Sequence, residues 1–176
     1  MEEEVEKSLV TILIPNIKGQ LAKISTFCAE NDLNISRLTL SAVDKDDKIQ
    51  KIILYLEGDR ENVNKMCKKI LDIDTVLKVV NFQTNSEYIE KEICFIKILN
   101  ENLGFPTVVN VVSDHYGRII FSSEKITIFL MEDSEENVNN FVNEVAEITT
   151  EIEMARSGMV AMAIDDTIEN IIDIDL

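Results

Sequence analysis

The sequence is short of the side chains that catalysis and metal binding most often use. It holds one histidine, His115, and three cysteines, Cys28, Cys67 and Cys94, in 176 residues. A single histidine leaves no partner for a histidine metal site, and beside Tyr116 and Gly117 it reads as a helix-end or surface residue. The cysteines are odd in number, widely spaced and set among apolar neighbours. That suits buried thiols in a reducing cytoplasm better than disulfides or a metal site. Cys-x-x-Cys, Gly-x-Ser-x-Gly, a Walker loop and a dinucleotide glycine pattern are all missing. Carboxylates abound, but they lie in solvated runs such as Asp44-Lys45-Asp46-Asp47 and Glu132-Asp133-Ser134-Glu135-Glu136, and no pair stands out as catalytic.

Positive charge is scarce as well. Seventeen Lys and Arg stand against 33 Asp and Glu, for a formal net charge of -16. Unaided binding to nucleic acid or to an anionic membrane needs a basic face, and no dense basic run is present. No apolar run approaches the ~20 residues that span a bilayer. Met1-Glu2-Glu3-Glu4 is acidic, so no signal peptide is expected and the location read from the sequence is cytoplasmic.

What is present is ordinary globular composition, 45% hydrophobic and 28% charged, in a length that suits one domain or two small ones. Apolar periodicity predicts strand 7–14, helix 20–31, strands 34–43 and 49–57, helix 60–71 and strand 76–83. Val63, Met66, Cys67, Ile70 and Leu71 form the buried stripe of the second helix, with Asp59 placed to cap it. Leu21, Ile24, Phe27 and Cys28 are the expected stripe of the first. In strand 34–43, Leu38, Leu40 and Ala42 alternate with Arg37, Thr39 and Ser41. The polar stretch 84–90 reads as a linker, after which the order repeats. Strand 91–99 leads to a helix started by Pro106 and stopped by Gly117, then strands 118–123 and 125–131, helix 134–147 and strand 151–163. The expectation is therefore α+β, with two ferredoxin-like βαββαβ sandwiches in tandem over 1–83 and 91–164. Residues 165–176 read as a loose acidic tail.

One phrase points to a ligand. Asn16-Ile17-Lys18-Gly19-Gln20-Leu21 sits where the first strand gives way to the first helix. A glycine there permits a sharp turn and close approach of another molecule. The helix start offers unpaired N–H groups and partial positive charge to a small carboxylate, such as that of an amino acid. Taken singly, Asn16 and Gly19 are also ordinary turn residues.

Gly19-Gln20-Leu21 after a strand, with Asn34-Ile35 opening the next, resembles an ACT domain, an amino-acid-sensing βαββαβ module. Ala155-Arg156-Ser157-Gly158 and the join Tyr88-Ile89-Glu90-Lys91-Glu92-Ile93 resemble the small regulatory subunit of acetolactate synthase. The resemblance runs from about Ser8 to Ala163. It implies a non-catalytic subunit that activates a thiamine-diphosphate catalytic large subunit and confers feedback inhibition, usually by valine, in branched-chain amino-acid synthesis. Thiamine diphosphate, magnesium and flavin then belong to the large subunit, and no cofactor is expected in this chain. It further implies a homodimer through the strand at 34–43. The effector would lie at that seam, held by Asn16, Gly19, Gln20, Leu21, Asn34 and Ile35. Arg156, Ser157 and Gly158 are candidates for subunit contact, although Arg156 equally suits a bridge within its own domain. The chain departs from the family pattern at Ile164-Asp165, where Arg-Gly is usual, and at Ser36-Arg37. A second reading is an independent homodimeric amino-acid sensor with another partner.

Overall fold

The computed structural model describes residues 7–82 and 87–164, so the proposed acidic tail lies outside the described residues. The first half contains β1 (Lys7–Pro15), α1 (Gln20–Glu30), β2 (Asn34–Ala42), β3 (Ile49–Glu57), α2 (Arg60–Leu71) and β4 (Lys78–Asn81). The second contains β5 (Tyr88–Leu99), α3 (Phe105–Asp114), β6 (Arg118–Ser122), β7 (Ile126–Asp133), α4 (Glu135–Ile148) and β8 (Ile152–Ala163). Each half forms one four-stranded sheet, in the orders β2-β3-β1-β4 and β6-β7-β5-β8. Both are the ferredoxin-like arrangement expected from the sequence. By compactness the described residues divide into 7–82, 87–89 and 161–164 as one unit and 90–160 as the other.

In the first unit Val10, Ile12 and Ile14 of β1 and Ile52, Leu54 and Leu56 of β3 turn one face toward Ile24, Cys28, Val63, Met66 and Ile70 of the helices. The alternation of period two on the strands meets the 3.6-residue period of the helices, which closes an apolar layer. Asp59 caps α2 as expected, its carboxylate accepting from the Glu61 amide at 2.6 Å. The stripe of α1 differs from expectation. Gln20, Ile24 and Cys28 face inward, and Leu21 stands 38% exposed. The i, i+4 spacing from Ile24 and Cys28 reaches back to Gln20, so the amide rather than the leucine enters the interior, where Gln20 Nε2 donates to Thr75 Oγ1 at 2.8 Å.

The second unit closes in the same way around Cys94, Ile96, Ile98, Phe129, Met131, Val138, Phe141 and Val145. Strand β5 begins at Tyr88, so the last three residues of the expected linker 84–90 are strand. Strand β7 runs on through Glu132 and Asp133 because Ile93 and Glu92 continue the antiparallel ladder opposite them. At the end of α3 the left-handed residue is Tyr116, φ 57°, not Gly117. A Cβ on Gly117 would stand 2.8 Å from Val112 Cγ1 and 3.0 Å from the Leu130 carbonyl. The glycine is there for close packing. His115 is the C-cap residue, and its Nε2 lies 3.0 Å from Glu144 Oε1, tying α3 to α4. The three cysteines are free, and burial pushes each thiol up to about 11, which keeps them neutral and unreactive. Among the described residues, no helix is long and apolar enough to cross a membrane.

Asp133 knots three elements of the second unit. It accepts from Lys91 Nζ at 2.7 Å, from the Ser134 amide at 2.8 Å and from Asn137 Nδ2 at 3.0 Å. These donors, Lys91 first, hold its carboxyl below the usual range. A depressed folded value means the stabilisation is fully present above the unfolded value, about 3.9, and is lost as pH falls through the lower folded one. Asp133→Asn is expected to flatten the acid limb of a stability–pH curve below about pH 4. Urea titrations of both proteins at several acidic pH values check this, and parallel acid limbs would contradict it.

Candidate functional site

The turn between β1 and α1 is built by short hydrogen bonds. The Asn16 amide donates to the Lys48 carbonyl at 2.7 Å, its side-chain Nδ2 donates to the Asp47 carbonyl at 2.8 Å, and the Ile17 amide donates to the Pro15 carbonyl at 2.8 Å. The chain then enters α1 through Gly19 at φ 87°, a left-handed conformation that costs an L-residue roughly 1–2 kcal/mol. A Cβ built on Gly19 meets nothing within 4 Å, so the glycine faces open space. The turn, not crowding, requires it.

The start of α1 differs from those of α2 and α4. Asp59 and Glu61 serve α2, and Ser134, Glu135 and Glu136 serve α4. At α1 no side chain caps the helix and no acid stands in the first turn. In a chain of net charge -16 the positive end of this helix is left without an acid of its own. Leu21 stands on the exposed flank beside it.

Asn34 opens β2, while the left-handed residue after α1 is Asp32, φ 55°. The side chain of Asn34 is exposed and its Nδ2 donates to Glu57 Oε2 at 2.9 Å. Ile35 is half-buried and packs against the first core, so only part of its surface remains for a ligand. A bulge between Ile35 and Arg37 then shifts the register, with Ser36 Oγ donating to the Tyr55 carbonyl at 3.2 Å.

Within one chain these residues do not converge. Asn34 lies opposite Glu57 at one end of β3, and Pro15, next to Asn16, lies opposite Ile49 at the other. The eight steps between them, about 3.3 Å each, separate the two asparagines by roughly 26 Å. A hollow of about 510 Å³ opens beside α1, lined by Ala22, Lys23, Thr26, Phe27, Glu30 and Ile73, and its walls include neither asparagine. β2 is an edge of its sheet, with Leu38 and Leu40 both 38% exposed.

The Arg-Ser-Gly phrase lies on β8 and is engaged within its own unit. Arg156 Nε and Nη2 donate to Glu92 Oε1 and Oε2 at 3.0 and 2.5 Å, and Nη1 donates to Asn139 Oδ1 at 2.9 Å. Glu92 is 2% exposed, and its carboxylate holds the guanidinium above its ordinary value. This fork joins β8, β5 and α4. Ser157 Oγ accepts from the Ile93 amide at 3.0 Å and donates to the Gly158 carbonyl at 2.7 Å, where the strand passes through a left-handed residue, φ 74°. Of the two roles open to Arg156, the structure shows the internal bridge. Glu92 could not be singled out among 33 acids, since nothing in the sequence marks its burial apart from the apolar residues that follow it.

Two tandem βαββαβ domains, the first with an uncapped strand–helix turn, define a tandem ferredoxin-like α+β fold. Residues 91–165 match the family model described as small subunit of acetolactate synthase. The acetolactate synthase small subunit of Buchnera aphidicola subsp. Baizongia pistaciae is 25% identical over 154 residues, covering 88% of this chain and 96% of that one. A probable acetolactate synthase small subunit of Archaeoglobus fulgidus is 25% identical over 156 residues, covering 89% and 96%. The crystal structure of the small subunit from Thermotoga maritima superposes with a TM-score of 0.76 at 23% identity, over 93% of this chain and all of that one. The family match lies in the second domain, and the likeness to such subunits extends over both domains.

Replacing Arg156 by methionine takes the bidentate guanidinium away from the buried Glu92 carboxylate. The expected loss is about 3–5 kcal/mol of unfolding free energy. Arg156→Met combined with Glu92→Gln is expected to recover part of it, read by urea denaturation. A loss under about 1 kcal/mol in the single variant, with weakened binding to another subunit, would return Arg156 to a contact role.

Proposed function

We propose that this chain is a non-catalytic regulatory subunit of acetolactate synthase. It activates the thiamine-diphosphate catalytic subunit and makes it sensitive to a branched-chain amino acid, valine first among them. The observation that carries the reading is the match to small subunits across both domains, over nearly their full lengths. Thiamine diphosphate, magnesium and flavin are assigned to the catalytic subunit, and the complex to the cytoplasm.

The wide separation of the two asparagines supports a seat shared by two copies. If β2 pairs antiparallel with β2 of a second chain, the Asn34 end of one strand lies beside the Ala42 end of the other. Ala42 is opposite Gln50, next to the loop that Asn16 and Gly19 touch or adjoin. The pairing therefore brings Asn34 of one copy to Asn16 and Gly19 of the other, and the two-fold makes two such seats. The amino acid's carboxylate sits at the uncapped α1 terminus, on the amides that follow Gly19. Asn16 and Asn34 use their Nδ2 groups within the chain, which leaves Oδ1 of each to accept from the ammonium group. Leu21 and the open part of Ile35 line the side-chain end. A ligand seated across two copies binds one mutual arrangement of them better than another. That is the differential affinity that regulation requires, typically worth about 1–3 kcal/mol.

Gly19→Asp sets a carboxylate where the ligand's carboxylate belongs. With nothing within 4 Å of the added Cβ, the variant is expected to fold with only the backbone cost of φ 87°. Valine binding, followed by calorimetry, is expected to vanish and feedback with it, while activation of the catalytic subunit persists. Unchanged valine binding in this variant would remove the loop from the site.

A further inference from the structure

We infer that the Gln20 side chain is a positioning residue of the proposed effector seat. Through Thr75 it ties the start of α1 to the segment that runs into β4, and so holds the Leu21 and Ala22 amides in place for the effector's carboxylate. The inference rests on the seat proposed above.

Gln20 is an amide in a row of apolar positions. It is buried on the same stripe as Ile24 and Cys28, while the leucine next to it stands exposed. Packing alone would favour an apolar side chain at that position. What the amide adds is a hydrogen bond, from Nε2 to Thr75 Oγ1 at 2.8 Å. Among the described residues it is the one side-chain hydrogen bond made by the first turn of α1, residues 20–23. The backbone of that turn is lightly held. The Gln20 amide reaches the Ile17 carbonyl at 3.4 Å, and the first bond of helical spacing runs from the Lys23 amide to the Gly19 carbonyl at 3.1 Å. The Leu21 and Ala22 amides between them remain for a ligand.

Two amides that share an anion need a fixed direction, because hydrogen bonds weaken steeply as they bend. Gly19 works against that. Glycine has a wide range of φ and ψ open to it, so a helix entered through one swings unless something else holds it. Residues 75–77 supply the hold. The Leu77 amide donates to the Leu13 carbonyl at 2.8 Å, which fixes this segment to β1 two residues before Pro15. Thr75, two residues earlier, receives the Gln20 side chain. The strand that enters the turn and the helix that leaves it are thus fastened to one short brace. Asn16 is fastened to residues 47 and 48. Capping side chains steady the starts of α2 and α4, and α1 is steadied by its own first side chain instead.

The test uses the full chain with Gln20→Met, with Thr75→Val, with both, and with Thr75→Ser. Methionine keeps the length and helix propensity of glutamine, valine keeps the shape of threonine, and serine keeps its hydroxyl. Valine affinity, read by calorimetry, is expected to fall about fivefold or more in Gln20→Met and in Thr75→Val, and to fall no further in the double variant. Thr75→Ser is expected to stay within about twofold of the parent chain. Hydrogen exchange at residues 20–23 is expected to quicken in Gln20→Met and Thr75→Val while exchange in β1 and β3 stays as it was, the mark of a loosened helix start in an intact fold. Valine binding by Gln20→Met at parental strength would overturn the tether. So would exchange that quickens equally in β1 and β3, or a serine variant as weak as the valine one. Failure of the unsubstituted chain to bind valine would instead overturn the seat, and the role of the tether with it, so the parent chain alone tells the two failures apart.

Discussion

The open edge of β2 is the constraint on which the regulatory reading depends. The sheet order β2-β3-β1-β4 leaves that strand without a neighbour on its outer side among the described residues. Backbone donors and acceptors on such an edge are strong and directional, and they choose a strand as partner. The same order sets Asn16 and Asn34 at opposite ends of β3. One geometric fact therefore does two things: it leaves an open strand edge, and it keeps the two asparagines of the proposed effector seat apart within a single copy.

Much of this was legible in the sequence, and the reasons are specific. The core stripes of α2 and α4 were readable because Val63, Met66 and Ile70, and Val138, Phe141 and Val145, recur at helical spacing with polar residues between them. The Gly19 turn was readable because a strand pattern ends and a helix pattern begins around one glycine. In the first helix Ile24, Phe27 and Cys28 were readable as the inward stripe, and only its first member, Leu21, was not. Leu21 is more apolar than Gln20, yet position along the stripe, fixed by Ile24 and Cys28, decides which one turns inward. The reach of β5 and β7 into polar sequence was hidden too. Residues 88–90 and Glu132-Asp133 look solvated, and only the ladder that pairs the two strands keeps them extended. Arg156 was open between an internal and an external partner because the answer depends on Glu92, 64 residues away and buried.

The two domains repeat a topology but use it differently. In the first, the strand–helix turn has an uncapped helix start and a left-handed glycine. In the second, α3 likewise starts without a side-chain cap or a first-turn acid, and there the Gly104 amide donates to Asn102 Oδ1 at 2.8 Å. The buried Glu92–Arg156 fork and the Asp133 cluster bind the second unit together by ionic contacts. Fully satisfied polar groups of this kind are costly to break, which suits a domain with a structural task more than one with a ligand turn.

The most direct test is to mix the purified chain with the cognate acetolactate synthase catalytic subunit and follow acetolactate formation with and without valine. The account predicts a higher rate with the chain than without it, and loss of that gain when valine is added. A catalytic subunit whose rate is unaffected by the chain, with no complex formed, would contradict it.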